Sequence, residues 1–213
     1  MDELKVMPKP DYVSWEDVSE LLKKANKVNE KKGFSMSDLN LPPEKLELQV
    51  AGGGLCVVAL IGEKLVGVTS CNLQERTWWF NKKKKCARKF MTGILKSYQG
   101  CGILYEMDKV LDDYIRSCGC DMIVASTAEG NQSVRMNSKL GGYKELAYES
   151  FGTTSYYSVI FAKWFKECPY PDWYVRLRFS LSRLYVKTRF KEGRIERFAV
   201  LRLAKRIKKK LKK

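Results

Sequence analysis

Two glycines one residue apart, Gly100 and Gly102, lie between an extended stretch and the start of a helical pattern. Glycine takes positive φ at little cost and lets backbone come close to a ligand. The first N–H groups of a helix have no intrahelical partner, so a turn of this kind can hold a diphosphate. The same residues equally make a plain structural turn, and the pair alone leaves both readings open. It is not the dinucleotide fingerprint, because Tyr105 stands in the place of the third glycine. It is not a P-loop either, since no Gly-Lys-Ser/Thr closes it. The chain contains no histidine. That excludes Ser-His-Asp and Cys-His nucleophilic pairs and any histidine-ligated zinc. Cys118 and Cys120 form a C-x-C pair with no second pair at zinc-finger spacing, so no metal site is expected.

The elements around this turn can be read from periodicity. Ser14-Trp15-Glu16-Asp17 resembles a capping box with Asp in the third position, and Val18, Leu21, Leu22, Ala25 and Val28 recur at helical spacing before Gly33. Residues 35–46 read as a short helix or a loop around Pro42-Pro43. Leu55–Ile61 and Leu65–Asn72 flank Gly62-Glu63-Lys64 and read as an antiparallel hairpin. Lys82 to Lys85 read as a solvated loop, with a substrate-facing patch as the alternative. Lys89–Leu95 is a strand candidate. Ile103, Leu104, Met107, Val110, Leu111, Tyr114 and Ile115 mark an amphipathic helix that Gly119 ends. Met122–Ala125 is a short buried strand. A helix opens at Gly130-Asn131-Gln132-Ser133 and stops at Leu140-Gly141-Gly142, and strands follow near Tyr143–Glu149 and Ser155–Ala162. The sum is a mixed α/β domain.

The stretch Ile94-Leu95-Lys96-Ser97-Tyr98-Gln99-Gly100-Cys101-Gly102-Ile103 resembles the coenzyme A-binding motif of the GNAT superfamily of N-acetyltransferases. The likeness continues through the following helix, the Met122–Ala125 strand, Asn131, and the helix end Lys139-Leu140-Gly141-Gly142-Tyr143. It covers roughly residues 11–163. It implies an α/β GNAT-like acyltransferase fold, with a central mixed and mostly antiparallel sheet flanked by helices. It implies a catalytic domain over 1–163 and leaves 164–213 as a basic amphipathic extension.

Residue by residue, the resemblance implies that backbone amides around Gln99, Gly100, Gly102, Ile103 and Leu104 hold the pyrophosphate of acetyl-CoA or another acyl-CoA, with Cys101 inside the turn. The Thr92-Gly93-Ile94 edge would pair with the pantetheine arm, and an amide near Ile94 would face the thioester carbonyl. Asn131 would contact the lower part of the coenzyme. The sequence departs from the motif at Leu104, where Gly or Ala is usual, and at Lys96, where Pro is frequent. Asn137 occupies the position of the common tyrosine that protonates the leaving thiolate, and Gly142 adds a residue beside the usual Gly-Phe pair.

The implied reaction moves an acetyl or other acyl group to a primary amine by direct attack on the thioester, which is mostly a matter of positioning. A backbone amide can stabilise the developing oxyanion. Without histidine, a base must be a carboxylate, a tyrosine or solvent. Glu75 and Glu129 are the carboxylate candidates, because both fall near strand ends; each also reads as an ordinary surface acid. Tyr143 and Tyr157 are acid candidates that read equally as packing. A covalent route through Cys101 is less favoured, although thiols at helix N-termini can be acidic. Trp78-Trp79 can line an acceptor or acyl pocket or serve as strand packing. Two other functions stay open: an acyltransferase of the same fold using an acyl-carrier protein, and a non-catalytic interaction or nucleic-acid-binding module on a degenerate acyltransferase fold.

Charge is divided unevenly. Residues 1–163 hold 23 Lys/Arg against 20 Asp/Glu, whereas residues 164–213 hold 17 against 4, so most of the net +16 sits in the last fifty residues. Over 173–190 strand alternation and a helical face fit about equally well. Past Lys191-Glu192-Gly193, Phe198, Leu201, Ala204, Ile207 and Leu211 form one face of a basic amphipathic helix. Expected partners are a small-molecule or lipid-linked amine, an anionic membrane surface touched through 191–213, an acidic carrier protein and, less favoured, nucleic acid. Seven cysteines, an odd number, and an N-terminus without an apolar leader point to a reducing cytoplasmic location, with peripheral association to the inner membrane face as an extension.

Overall fold

The computed structural model describes residues 3–31, 41–78, 82–150 and 157–190. The expected helix stop at Gly33, residues 35–40, Trp79 and the basic segment 191–213 lie outside the described residues. One seven-stranded sheet organises the chain, in the order β1-β2-β3-β4-β5-β7-β6. Its strands are β1 (Leu4–Pro8), β2 (Leu55–Ile61), β3 (Lys64–Trp78), β4 (Lys82–Ile94), β5 (Met122–Ala128), β6 (Lys144–Ser150) and β7 (Tyr157–Trp164). All neighbours are antiparallel except β4 and β5. The helices are α1 (Trp15–Lys31), α2 (Pro43–Val50), α3 (Ile103–Ser117), α4 (Gln132–Leu140) and α5 (Asp172–Phe190). This is the mixed, mostly antiparallel sheet flanked by helices that the motif implied.

Local chemistry explains the helix starts. The Ser14 hydroxyl and N–H both donate to the Asp17 carboxylate, at 2.7 and 3.0 Å, and the Asp17 N–H donates back to the Ser14 hydroxyl. These bonds hold the Asp17 carboxyl below its ordinary range, so Asp completes the capping box as Glu would. Pro43 takes the first position of α2, where its missing N–H costs nothing.

The strand alternation splits the interior. On one face Val18, Leu21 and Leu22 of α1 and Leu46 of α2 pack on Val58, Leu60, Val68 and Phe90. On the other, Ile103, Met107, Leu111 and Ile115 of α3 pack on Val57, Val66, Ala87, Ile123 and Phe161. Burying one such Leu or Ile side chain contributes about 1.5–3 kcal/mol.

One expectation needs correction, one strand is new, and one open question is settled. Lys82 to Lys85 are not a loop: Lys82 pairs with Trp78 and Lys85 with Glu75, so they begin β4 and lengthen the β3–β4 ribbon. β1, which the sequence did not suggest, adds an edge strand beside β2. The segment 173–190, undecided between strand and helix, is helical. α5 lies along β6, with Val175, Phe179 and Val186 in the cores, and Ser182 Oγ accepts the Tyr148 N–H at 2.9 Å. The helix thereby covers an edge that would otherwise be open to pairing.

Candidate functional site

The sheet forks between its two parallel strands. β4 and β5 are paired only at Cys86/Met122, Ala87/Ile123 and Arg88/Val124. Beyond Arg88, β4 stays with β3 as far as Gly67/Ile94, while β5 leaves with β7 as far as Ala128/Ser158. Along Lys89–Ile94 the β5-facing edge of β4 therefore has no strand partner among the described residues. Alternate N–H and C=O groups of an unpaired strand edge are ready to bind an extended ligand. The Gln99 amide reaches back and donates to the Ile94 carbonyl at 2.9 Å, which ties the following turn to the end of this edge.

A bulge sits inside the fork. Val68 pairs with Gly93 and Ser70 with Phe90, so Thr69 faces two residues, Met91 and Thr92. Met91 has φ +48°, a conformation that costs a side-chain-bearing residue about 1–2 kcal/mol. Its side chain is fully buried beneath α1, and that packing holds it there. The Thr92 and Thr69 hydroxyls meet at 2.9 Å. Gly93 is closely packed: an added Cβ would lie 3.2 Å from both Ala25 and Leu22 of α1, which would have to give way. No residue-level signal announced the bulge, because methionine carries no preference for positive φ.

The glycine turn follows. Gly100 and Gly102 have φ +85° and +78°, and a Cβ added to either meets nothing within 4 Å. The space over the turn is open. The backbone N–H groups of Gly100, Cys101, Gly102, Ile103 and Leu104 donate to no described residue, and the first helical bonds begin with Tyr105 and Glu106 donating to the Gly102 carbonyl. Five free donors with the positive end of α3 behind them are an arrangement that attracts an anion. Ile103 is buried and Leu104 is half-buried, so the larger side chain at 104 packs against the α3 core. Cys101 is exposed.

The other candidates divide by their place relative to the fork. Glu129 and Tyr157 are at its open end, where the Glu129 N–H donates to the Tyr157 carbonyl at 2.8 Å. Glu129 accepts from Arg183 at 3.1 Å and from Lys187 at 3.2 Å, both on α5. Burial pushes its pKa up, but the Tyr148 hydroxyl, Lys187 and Arg183 outweigh that and bring it below the usual carboxylate value. A carboxylate so held is a weak base, and it ties α5 to the open end of the fork. Asn131 caps α4, its Oδ1 accepting from the Val134 N–H at 3.4 Å and the Ser133 hydroxyl at 3.2 Å. Asn137 is exposed on α4.

Glu75 and Tyr143 are not brought to the fork. Glu75 pairs with Lys85, seven residues before Thr92 along β4, or about 23 Å at strand rise. Trp78 is farther still, opposite Lys82. Tyr143 is 6% exposed inside the α3 core, with the Lys163 ammonium 5.8 Å from its ring. Burial, with Asp108 and Asp112 nearby, pushes its phenol well above the ordinary range, and it serves packing. Two ion pairs flank it: Lys89 with Asp108, and Lys163 with Asp112 at 2.6 Å. A recess of about 640 Å³ bounded by Lys144, Glu167, Tyr170 and Asp172 holds none of the candidate residues. Among the described residues no group of three or more Cys, Asp or Glu is placed to hold a metal ion.

A scan of protein-family models finds no match to the chain, and no curated protein matches it significantly. Solved structures do match. An acetyltransferase of the GNAT family from Streptococcus pneumoniae aligns over 77% of this chain and 100% of its own, with a TM-score of 0.58 at 15% identity. The chain has the GNAT acetyltransferase fold. The NatC complex bound to Gag peptide and CoA covers 77% of this chain and 99% of its own, with a TM-score of 0.60 at 11% identity. The ribosomal-protein-S18-alanine N-acetyltransferase from Escherichia coli covers 78% and 96%, with a TM-score of 0.57 at 10% identity. Within this GNAT fold, the fork, the bulge and the free donors of the glycine turn are features of the chain's own backbone.

Proposed function

We propose that the protein is an acyl-CoA-dependent N-acyltransferase, transferring an acetyl or other acyl group to a primary amine. The observation that carries this reading is the row of free N–H groups from Gly100 to Leu104, set at the end of the β4 edge that the fork leaves unpaired. A diphosphate fits the open space above the two glycines, and an extended amide-bearing arm fits a strand edge with spare donors and acceptors. Acyl-CoA supplies the acyl group as an activated thioester. In the proposed mechanism the Gly100–Leu104 amides fix one end of it, the Phe90–Ile94 edge fixes its direction, and an amide near Ile94 would donate to the oxygen on which charge develops. Positioning of this sort can account for about 7–11 kcal/mol of a barrier. Glu129, held by two cations, keeps the α5 side of the open end in place and is not the proposed base.

The amine acceptor finds support in the structural neighbours, one of which is bound to a peptide and one of which acts on a protein alanine. Calorimetry with CoA and acetyl-CoA tests the donor site, and release of free thiol from acetyl-CoA across a panel of amines tests the reaction. Micromolar CoA binding and amine-dependent thiol release support the proposal. A folded protein with no CoA affinity would sink it, and salt-sensitive nucleic-acid binding in its place would favour the non-catalytic alternative.

A further inference from the structure

α5 is apolar on two sides, and among the described residues only one of them is covered. Val175 and Val186 are buried against the sheet, with Phe179 partly buried beside them. The outer side carries Trp173, Leu177, Leu181, Leu184 and Tyr185, which are 66, 48, 56, 54 and 45% exposed. At helical geometry these five fall within about 120° of arc. A helix apolar all round is ordinarily buried all round. Basic residues border the stripe: Arg176, with Arg183 and Lys187 that also pair with Glu129, on one side, and Arg178 on the other. The next 23 residues of the chain add 11 Lys/Arg against two Glu.

Charge and shape together choose the occupant. Residues 191–213 carry an apolar face of their own, but folding back onto α5 would set their 11 Lys/Arg against an already basic border. A second copy meeting this one across a two-fold axis would set the same arginines face to face. A nucleic acid would satisfy the arginines but offer nothing to five exposed apolar side chains. An anionic lipid surface takes both, with the stripe at the boundary of the acyl chains and the basic borders among the headgroups. Trp173 and Tyr185 stand at the two ends of the stripe, and such side chains favour that interface. We infer that the outer face of α5 docks this protein on an anionic bilayer, with the helix lying in the plane of the surface. Among the described residues no helix is long and apolar enough to cross a membrane, so the contact is a surface one.

The test uses the full chain and vesicles of phosphatidylcholine, alone or with about a third phosphatidylglycerol. Cosedimentation with the anionic vesicles, weakened by salt, and little with the neutral ones is the expected result. Leu177→Glu with Leu181→Glu should lower that binding at least about tenfold while circular dichroism and CoA affinity stay unchanged. Leu177→Gln with Leu181→Gln is the milder variant should the first not fold. Quenching of tryptophan emission by brominated acyl chains should fall in Trp173→Phe. The inference is overturned if the full chain does not bind anionic vesicles, or if the stripe substitutions leave binding intact. It is also overturned if they dissolve a stable dimer instead, or if duplex nucleic acid outcompetes the vesicles.

Discussion

Gly102→Val puts the donor site to a test whose size can be worked out beforehand. Gly102 has φ +78° and an added Cβ meets no atom within 4 Å, so backbone strain is the main cost to folding. That strain is about 1–2 kcal/mol for a residue with a Cβ, or a fall of roughly 3–6 °C in Tm for a domain of this size. The isopropyl group would stand in the space where a diphosphate must approach five free N–H groups. Losing two charge-assisted bonds there costs about 3 kcal/mol, or roughly a hundredfold in Kd. Gly119→Val is the control: it has φ +71° with nothing within 4 Å of its Cβ, but lies at the far end of α3. Both variants should lose similar Tm by calorimetry, and only Gly102→Val should lose CoA affinity by titration. Equal CoA affinities in the two variants would refute the placement of the diphosphate.

Glu129→Gln should lower stability by about 1 kcal/mol at neutral pH, since Arg183 and Lys187 are partly exposed and their pairing is screened. The folded pKa of Glu129 lies below its ordinary 4.5, so this contribution is complete above that value and is lost as pH falls through the folded one. The difference in Tm between wild type and Glu129→Gln should therefore shrink as pH falls below 4.5. Glu75→Gln and Tyr143→Phe should each leave kcat/KM within about threefold of wild type, because neither side chain reaches the fork; a loss of a hundredfold in steady-state assays would restore that residue as a catalytic acid or base. Thr92→Val leaves the fully buried Thr69 hydroxyl without its partner and should destabilise by about 1–2 kcal/mol in urea titrations.

What could be read from the sequence was what periodicity or local turn chemistry writes into it. α3 was legible because Ile103, Met107, Leu111 and Ile115 recur at helical spacing and are all buried, and the glycine turn because two residues need positive φ. α5 was ambiguous for a physical reason. With apolar residues on both its buried and its exposed sides, Trp173, Val175, Leu177, Phe179 and Leu181 alternate as in a strand. Four lysines in a row read as solvated loop, yet a ladder with β3 holds them extended. The fork was beyond reach because no residue type marks it. It arises from the number of rungs β4 and β5 share, which depends on how far each follows β3 or β7. Glu75 was misplaced for the same reason, since the length of the β3–β4 ribbon decides how far it stands from the cleft. β1 offers only Val6 and Met7 between Lys5 and Pro8, too short an apolar run to signal an edge strand.

The most direct test is a crystal structure of the full chain grown with acetyl-CoA. The diphosphate should lie within hydrogen-bonding distance of the N–H groups of residues 100–104, and the pantetheine arm should run along Phe90–Ile94 inside the fork. Acetyl-CoA bound elsewhere, or a fork closed by the chain itself with no ligand in it, would contradict the account.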